Sequence, residues 1–451
     1  MIKDIMTANE LVAPNQKEIN ILKENFPSCF SADGTFDIVR FSEFLKDKVD
    51  ISHEGYELKF LGKNYAKMLA SLDTETVIVP DEAHNSIPEN AKSENVYISG
   101  DNLDALKHLL KSYAGEIKCI YIDPPYNTGS DGFVYNDKFN FSVEYLVEKL
   151  SIDEEQAQRI LDLTNRGSAS HSAWLMFMYP RLQLARDLLD KDGIIFISID
   201  NNEEANLKIV CDDIFGENNF LTNISRATGT PTGGGFDGFV NEKDTILVYS
   251  KDVSKAIIRG LEMTTSDEAI YNEVDSEGNR YLTRTLRRTG GEDRPTMFYP
   301  LTAPDGTEVY PYGPTGYESR WRCSLAKAKK LEDDGLLEWK QIKKDGVLVW
   351  HPYKKFYLNN TKKPGNIWKS IFDEDDEDDM DLWDGLEGNK KATRDVKELF
   401  DNKKVFETAK PVELIEKIIS IGSESNDLII DFFGGSSTTA HAIMRSNVER
   451  K

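Results

Sequence analysis

The chain has 451 residues, 39% of them hydrophobic, enough apolar side chain for two or three folded domains. Its 78 acidic residues against 55 basic ones give a net charge of -23, which excludes a protein that holds nucleic acid mainly by overall charge and, taken alone, favours a small-molecule enzyme. No stretch approaches the roughly 18 apolar residues of a membrane span, and the start MIKDIMTANE lacks the apolar run of a secretory signal, so the expected location is cytoplasmic, with no membrane partner.

The acid is uneven. FDEDDEDDMDLWDGLE at 372 to 387 carries ten Asp and Glu residues and reads first as a solvated loop, with a partner-binding tail as the alternative. The four cysteines, Cys29, Cys119, Cys211 and Cys323, are far apart with no CxxC spacing. That argues against a zinc site or a disulfide framework and for core thiols.

In chain order, residues 1 to 95 hold amphipathic helical patterns such as YELKFLGKNYAKMLASL (56 to 72) and end in a polar connector, which predicts a small helical N-terminal region and a linker. From Val96 the pattern becomes NVYIS, GDNLDALKHLLKSY, IKCIYI, AWLMFMYPRLQLARDLLDKDG and IIFISID. This strand, helix, strand, helix, strand order predicts a parallel α/β sheet over 96 to 251, with Gly193 ending the second of these helical runs. A further helix, EEANLKIVCDDIFG, and the strand TILVYS extend the unit. Between 252 and 400 the alternation stops, in a segment rich in tryptophan and basic pairs, which predicts an inserted domain. It returns over 401 to 451 in KPVELIEKIISIG, NDLIIDFF and GGSSTTAHAIM.

Two turns carry chemistry. YIDPPYNTGSDGF (121 to 133) places Asp123 at the carboxyl end of a strand, where open α/β sheets put their ligands. Proline has a fixed φ and no amide hydrogen, so Asp-Pro-Pro makes a stiff corner holding a carboxylate and a main-chain carbonyl as adjacent acceptors beside the ring of Tyr126. That pairing suits a planar ring bearing an exocyclic amine; a purely structural proline turn is the competing reading. DFFGGSSTTAHA is a strand, glycine turn and helix that lets backbone approach a nucleotide-like ligand, a pattern that is also common packing punctuation.

DPPYNTGSDGF before an insertion, and KP plus DFFGGSSTTAHA after it, resemble the DNA amino-methyltransferases in their permuted arrangement. With YELKFLGKNYAKMLA, ENVYISGDNLDALKHL, ISIDNNEEANLK, ATRDVKELF and ETAKPVELI, the chain resembles most the modification subunits of type III restriction-modification systems, from about residue 50 to 444. The resemblance implies a Rossmann-like sheet that uses S-adenosyl-L-methionine, interrupted by a target recognition domain. It implies methylation of the exocyclic amine of adenine in duplex DNA, a restriction (helicase-nuclease) partner subunit and a homodimer of modification subunits. Cytosine amino-methylation and a catalytically inactive recognition or assembly module are the rival readings.

By the same resemblance, Asp123 and the Pro124 carbonyl accept hydrogen bonds from a flipped-out adenine amine, Pro125 stiffens the corner and Tyr126 stacks on the base. No metal is required. Asp431, Phe433 and Gly435 line the methionine side of the cofactor pocket, Lys410 begins the helix that closes over it, and Asp101 with Asn102 receives the adenine end of the cofactor. For Phe433 the competing reading is plain core; for Asp101 it is an N-cap. Loop 228 to 239, TGTPTGGGFDGF, resembles the family's segment near the flipped base. In the insert, Arg320, Arg322, Lys354 and Lys355 are candidate DNA contacts, a solvated charged face being the alternative.

The chain departs from the family at Ser437, where a second glycine is usual, and at its end. HAIMRSNVERK closes the sequence where family members continue into a strand that carries the acidic residue for the cofactor ribose. The resemblance places that strand between the one ending at Asp431 and the one ending near Ser99, so the expectation is a lost central strand, two strands with unpaired backbone groups, an opened apolar core, marginal stability and weak or no cofactor binding for these 451 residues alone.

Overall fold

The computed structural model describes residues 16–31, 34–45, 58–128, 141–165, 170–228, 243–289, 294–344, 346–368 and 388–449. The acidic run and the 228 to 239 loop, apart from Thr228, lie outside them, as does most of NTGSDGF. The chain divides into two compact units, one of residues 1–259 with 364–451 and one of Gly260–Lys363, the latter within the 252 to 400 span expected for the insert. Among the described residues no helix is long and apolar enough to cross a membrane.

The first unit is built on a six-stranded sheet of β1 (Ile117–Ile122), β2 (Leu189–Ile199), β3 (Phe220–Ala227), β4 (Lys243–Ser250), β5 (Ile367–Trp368) and β6 (Leu428–Ile430). Their order is β5-β3-β4-β2-β1-β6. All six residues of β1 are buried, because parallel strands covered by helices on both faces read as continuous apolar runs. β1 pairs in parallel with β2 and β6, while β4 runs antiparallel to β2 and β3. The sheet is therefore mixed rather than parallel throughout. TILVYS is buried like its neighbours, so its apolar run carried no sign of its direction.

Helices Asn102–Tyr113, His171–Leu188 and Glu204–Phe215 cover the sheet, and the N-terminal Lys63–Ser71 helix buries Tyr65, Ala66 and Leu69 in the same core. Gly62 starts that helix at φ 91, and a Cβ there would meet the sulfur of Met176. All four cysteines are free and buried. Burial pushes the Cys119 thiol up to about 12, as expected of a core thiol.

Two sequence expectations are corrected. NVYIS forms no strand: Val96 and Tyr97 are exposed, and a strand exists only by backbone pairing, while β6, the sheet's last strand on this side, pairs among the described residues with β1 alone. Gly193 does not end a helix. The helix stops at Leu188 and β2 begins at once, with Gly193 inside it, where a Cβ would sit 2.8 Å from the Ile117 carbonyl oxygen. The glycine marks close approach of two backbones at the irregularity in the β1–β2 pairing.

The second unit is closed where the chain enters and leaves it, by antiparallel pairing of Leu261–Glu262 with Thr361–Lys362. Its main sheet joins Leu337–Lys344, Val347–Tyr357, Arg280–Thr285 and Glu273–Val274, and a small core gathers Leu286, Tyr299, Leu301, Trp321, Ala328 and Leu331.

Candidate active site

Asp123, Asp200 and Asp431 follow directly on the carboxyl ends of β1, β2 and β6, which lie side by side. The sheet brings together turns that are far apart in sequence. Asp123 is half-buried and its Oδ1 accepts from the Tyr126 hydroxyl at 2.8 Å. Lys410 Nζ lies 2.7 Å from both Asp123 oxygens and 2.8 Å from the same hydroxyl, with its ammonium 4.9 Å from the centre of the Tyr126 ring. Burial and the Asp123 charge hold the Tyr126 phenol well above its ordinary value, so it stays a donor. Pro124 is buried, and the Pro125 carbonyl accepts from the Trp174 indole at 2.7 Å. The corner read from sequence is thus pinned on both sides.

Lys410 is placed at this corner. Its backbone carbonyl accepts from Thr438 at 3.2 Å, tying it to the start of the Thr438–Glu449 helix. Pro411 caps the Val412–Gly422 helix.

At the glycine turn, Asp431 accepts from Thr439 Oγ1 at 2.6 Å and from the Phe433 amide at 2.8 Å. Burial, with the Asp123 charge adding to it, raises its carboxyl to about 6. Gly435 has φ 51, and a Cβ there would lie 3.5 Å from Phe406; one on Gly434 would meet nothing within 4 Å. Ser437, the departure noted above, has φ 61, a left-handed conformation that glycine adopts freely and serine adopts at a cost. The Phe433 ring packs 5.9 Å from Phe177 and 5.3 Å from Phe432, against the core.

Asp101 caps the Asn102–Tyr113 helix, accepting from the amides of Leu103 and Asp104 at 2.9 and 3.2 Å. Asn102 donates to the Phe432 carbonyl at 2.8 Å and accepts from Arg181 Nε at 2.6 Å. Arg181 is fully buried, stacks 3.7 Å over the Phe177 ring and reaches Asp101 at 3.6 Å. Sequence reasoning missed it, although a lone arginine in the apolar run LMFMYPRLQLA was the available signal. It also missed Arg226, which is buried on β3 and pairs with Asp244 at 3.4 Å, and Glu203. Burial raises Asp244, opposed by Lys410 and Arg226.

In the second unit, Arg322 and Lys354 line a cavity of about 220 Å³ with Arg284, Lys327 and Phe356. Arg320 and Arg322 line another of about 220 Å³ with Arg288, Arg294 and Trp321. Lys355 falls on the opposite face of its strand, 5.1 Å from the Tyr281 ring and 4.0 Å from Glu338. Strand alternation therefore separates two adjacent lysines.

Residues 117–449 match the family model described as DNA methylase. The chain is 37% identical over 464 residues to the type III restriction-modification enzyme EcoPI Mod subunit of Escherichia phage P1, covering 97% of this chain and 69% of that protein. It is 36% identical to the EcoP15I Mod subunit of Escherichia coli (98% and 70% covered), and 37% identical to the StyLTI Mod subunit of Salmonella typhimurium (100% and 67%). The chain belongs to the type III Mod family of DNA methylases. Like other members it is an S-adenosyl-L-methionine-dependent DNA methyltransferase. This Mod-family chain spans about two thirds of the length of these relatives, and the match takes in the N-terminal segment that the motifs alone did not reach.

The site residues fit that cofactor. Asp431 accepts from a hydroxyl and an amide, both uncharged, so a sulfonium and an α-ammonium would supply the positive charge that its burial lacks. Asp431, Phe433 and the Gly434–Gly435 turn would be the groups to hold it; Asn102 fixes the turn through the Phe432 carbonyl.

Proposed function

We propose that this chain methylates the exocyclic amine of adenine in duplex DNA, as the modification subunit of a type III system. The observation that carries the reading is the Lys410 ammonium hydrogen-bonded to both oxygens of Asp123: the corner receives a nitrogen donor, in a slot walled by an aromatic ring. A flipped adenine presents an amine on a flat ring to that arrangement.

When bound, S-adenosyl-L-methionine supplies an electrophilic methyl group. The protein's part is alignment. Asp123 and the Pro124 carbonyl accept the amine hydrogens, which draws the delocalised lone pair out of the ring and aims it. Tyr126 stacks on the base, and its hydroxyl keeps Asp123 oriented. Lys410 yields at least one of its contacts as the amine arrives. Asp123 need only orient the amine, because proton loss can follow transfer.

We further propose that the insert around Gly260–Lys363 reads the DNA through Arg320, Arg322 and Lys354, with Lys355 turned to the other face of its strand, and that the chain pairs as a homodimer, works with a restriction subunit and acts in the cytoplasm. Its relatives named as Mod subunits of type III restriction-modification enzymes support this reading. Nucleoside analysis of unmethylated genomic DNA incubated with the protein and cofactor tests it. N6-methyladenine is the expected product; N4-methylcytosine alone would overturn the adenine assignment.

A further inference from the structure

ISIDNNEEANLK is a motif of the resemblance that the proposed chemistry leaves without a role. It follows β2, whose carboxyl end lies beside that of β1. Asp200 opens the turn, accepting from the Asn202 backbone amide at 2.9 Å and side-chain amide at 2.6 Å. The turn delivers Glu203, whose side chain is 0% exposed, to the back of the Asp-Pro-Pro-Tyr corner.

There Glu203 accepts three hydrogen bonds. Oε1 receives Asn127 Nδ2 at 2.6 Å and His171 Nδ1 at 2.6 Å, and Oε2 receives Asn206 Nδ2 at 2.7 Å. Asn127 is the residue immediately after Tyr126 and has φ 58, the left-handed conformation in which the chain turns away from the corner. A carboxylate offers only acceptors, so it dictates which end of the Asn127 amide faces it. The other end, Oδ1, is buried with no hydrogen-bond donor among the described residues. That orientation forgoes one hydrogen bond to keep another, which a purely space-filling amide has no reason to do.

We propose that Glu203 is a positioning residue for methyl transfer: through Asn127 it locks the turn that leaves the catalytic corner and so fixes the Tyr126 ring against Asp123. The inference rests on the reading of that corner as the amine acceptor. The His171–Leu188 helix acts with it, since the same helix supplies His171 to Glu203 and Trp174 to the Pro125 carbonyl. Residues 125 and 127 are thereby held from one side while Lys410 and Asp123 hold Tyr126 from the other. Burying a carboxylate costs more than burying an apolar side chain of the same volume, so a role confined to packing would be served better by leucine.

The test is tritium transfer from labelled S-adenosyl-L-methionine into unmethylated genomic DNA by the full chain carrying Glu203→Leu, Glu203→Gln, Asn127→Ala or the Leu and Ala changes together, with Asp123→Ala as reference. Misplacing the corner by about 1 Å should lower kcat about 100-fold in Glu203→Leu and in Asn127→Ala. The KM for S-adenosyl-L-methionine and the thermal midpoint should change little. The double variant should be no slower than the slower single, and Glu203→Gln, which keeps an acceptor for Asn127, should recover most of the rate. Unchanged kcat, additive losses in the double, or a parallel fall of kcat, cofactor affinity and thermal midpoint would each overturn the proposal. Wild-type transfer by Asp123→Ala would instead overturn the reading of the corner, and the positioning role with it.

Discussion

Lys410 Nζ stands 2.7 Å from each carboxylate oxygen of Asp123, joining two motifs 287 residues apart in one ion pair. Both side chains are partly enclosed, at 10% and 28% exposed, so the pair is shielded from water more than a surface bridge. Removing one partner leaves the other uncompensated. Lys410→Met should therefore lower stability by about 1–3 kcal/mol in urea unfolding, and Asp123→Asn combined with Lys410→Met should cost clearly less than the two single losses added together.

The pH dependence of cofactor binding follows from Asp431. Its carboxyl is raised from 3.8 to about 6 in the folded chain. The stability it contributes is thus fully present below about pH 4 and is lost as pH rises to 6, because the folded state holds its proton more tightly than the unfolded one. A cationic ligand has the opposite preference and favours the ionised carboxylate. Affinity for S-adenosyl-L-methionine should fall as pH drops below about 6, by up to about tenfold per unit. Calorimetric titration between pH 5 and 8 should show this for wild type and a flatter profile for Asp431→Asn.

Arg181 links the cap of the Asn102–Tyr113 helix to the glycine turn through Asn102, with hydrogen bonds of 2.6 and 2.8 Å in series. Arg181→Met keeps the volume and strands the Asn102 carbonyl, at a cost of about 1–3 kcal/mol. Thermal unfolding should show the loss, and cofactor affinity should fall with it because the Phe432 carbonyl is no longer held in place.

The alternation of Lys354 and Lys355 gives a test of the basic face. Lys354→Glu should weaken DNA binding and reduce the slope of log K against log salt by roughly one phosphate contact. Lys355→Glu, on the face shared with Tyr281 and Glu338, should leave DNA affinity and the salt slope nearly unchanged. Fluorescence anisotropy over a salt series distinguishes the two.

Much of this site was legible in the sequence because its chemistry sits in short contiguous motifs. DPPY dictates a stiff acceptor corner whatever surrounds it, and the conformation of Ser437 explains why a glycine suits that position. What was not legible depends on neighbours in space. Lys410 carried no sign that it would reach Asp123, nor Glu203 that it would meet Asn127: Lys410 comes from the start of the Val412–Gly422 helix to the end of β1, and Glu203 and Asn127 meet because β2 and β1 are adjacent. Gly193 looked like a helix end because its reason lies in the backbone of β1. NVYIS has the composition of a strand, but composition cannot supply a partner.

The central claim is that Asp123 orients the amine that is methylated. It is tested most directly by comparing wild type with Asp123→Ala in tritium transfer to unmethylated DNA, alongside calorimetric binding of S-adenosyl-L-methionine by both. A loss of transfer of about 100-fold to 1000-fold with cofactor affinity within a few-fold of wild type is the predicted result. Transfer by Asp123→Ala at the wild-type rate would contradict it.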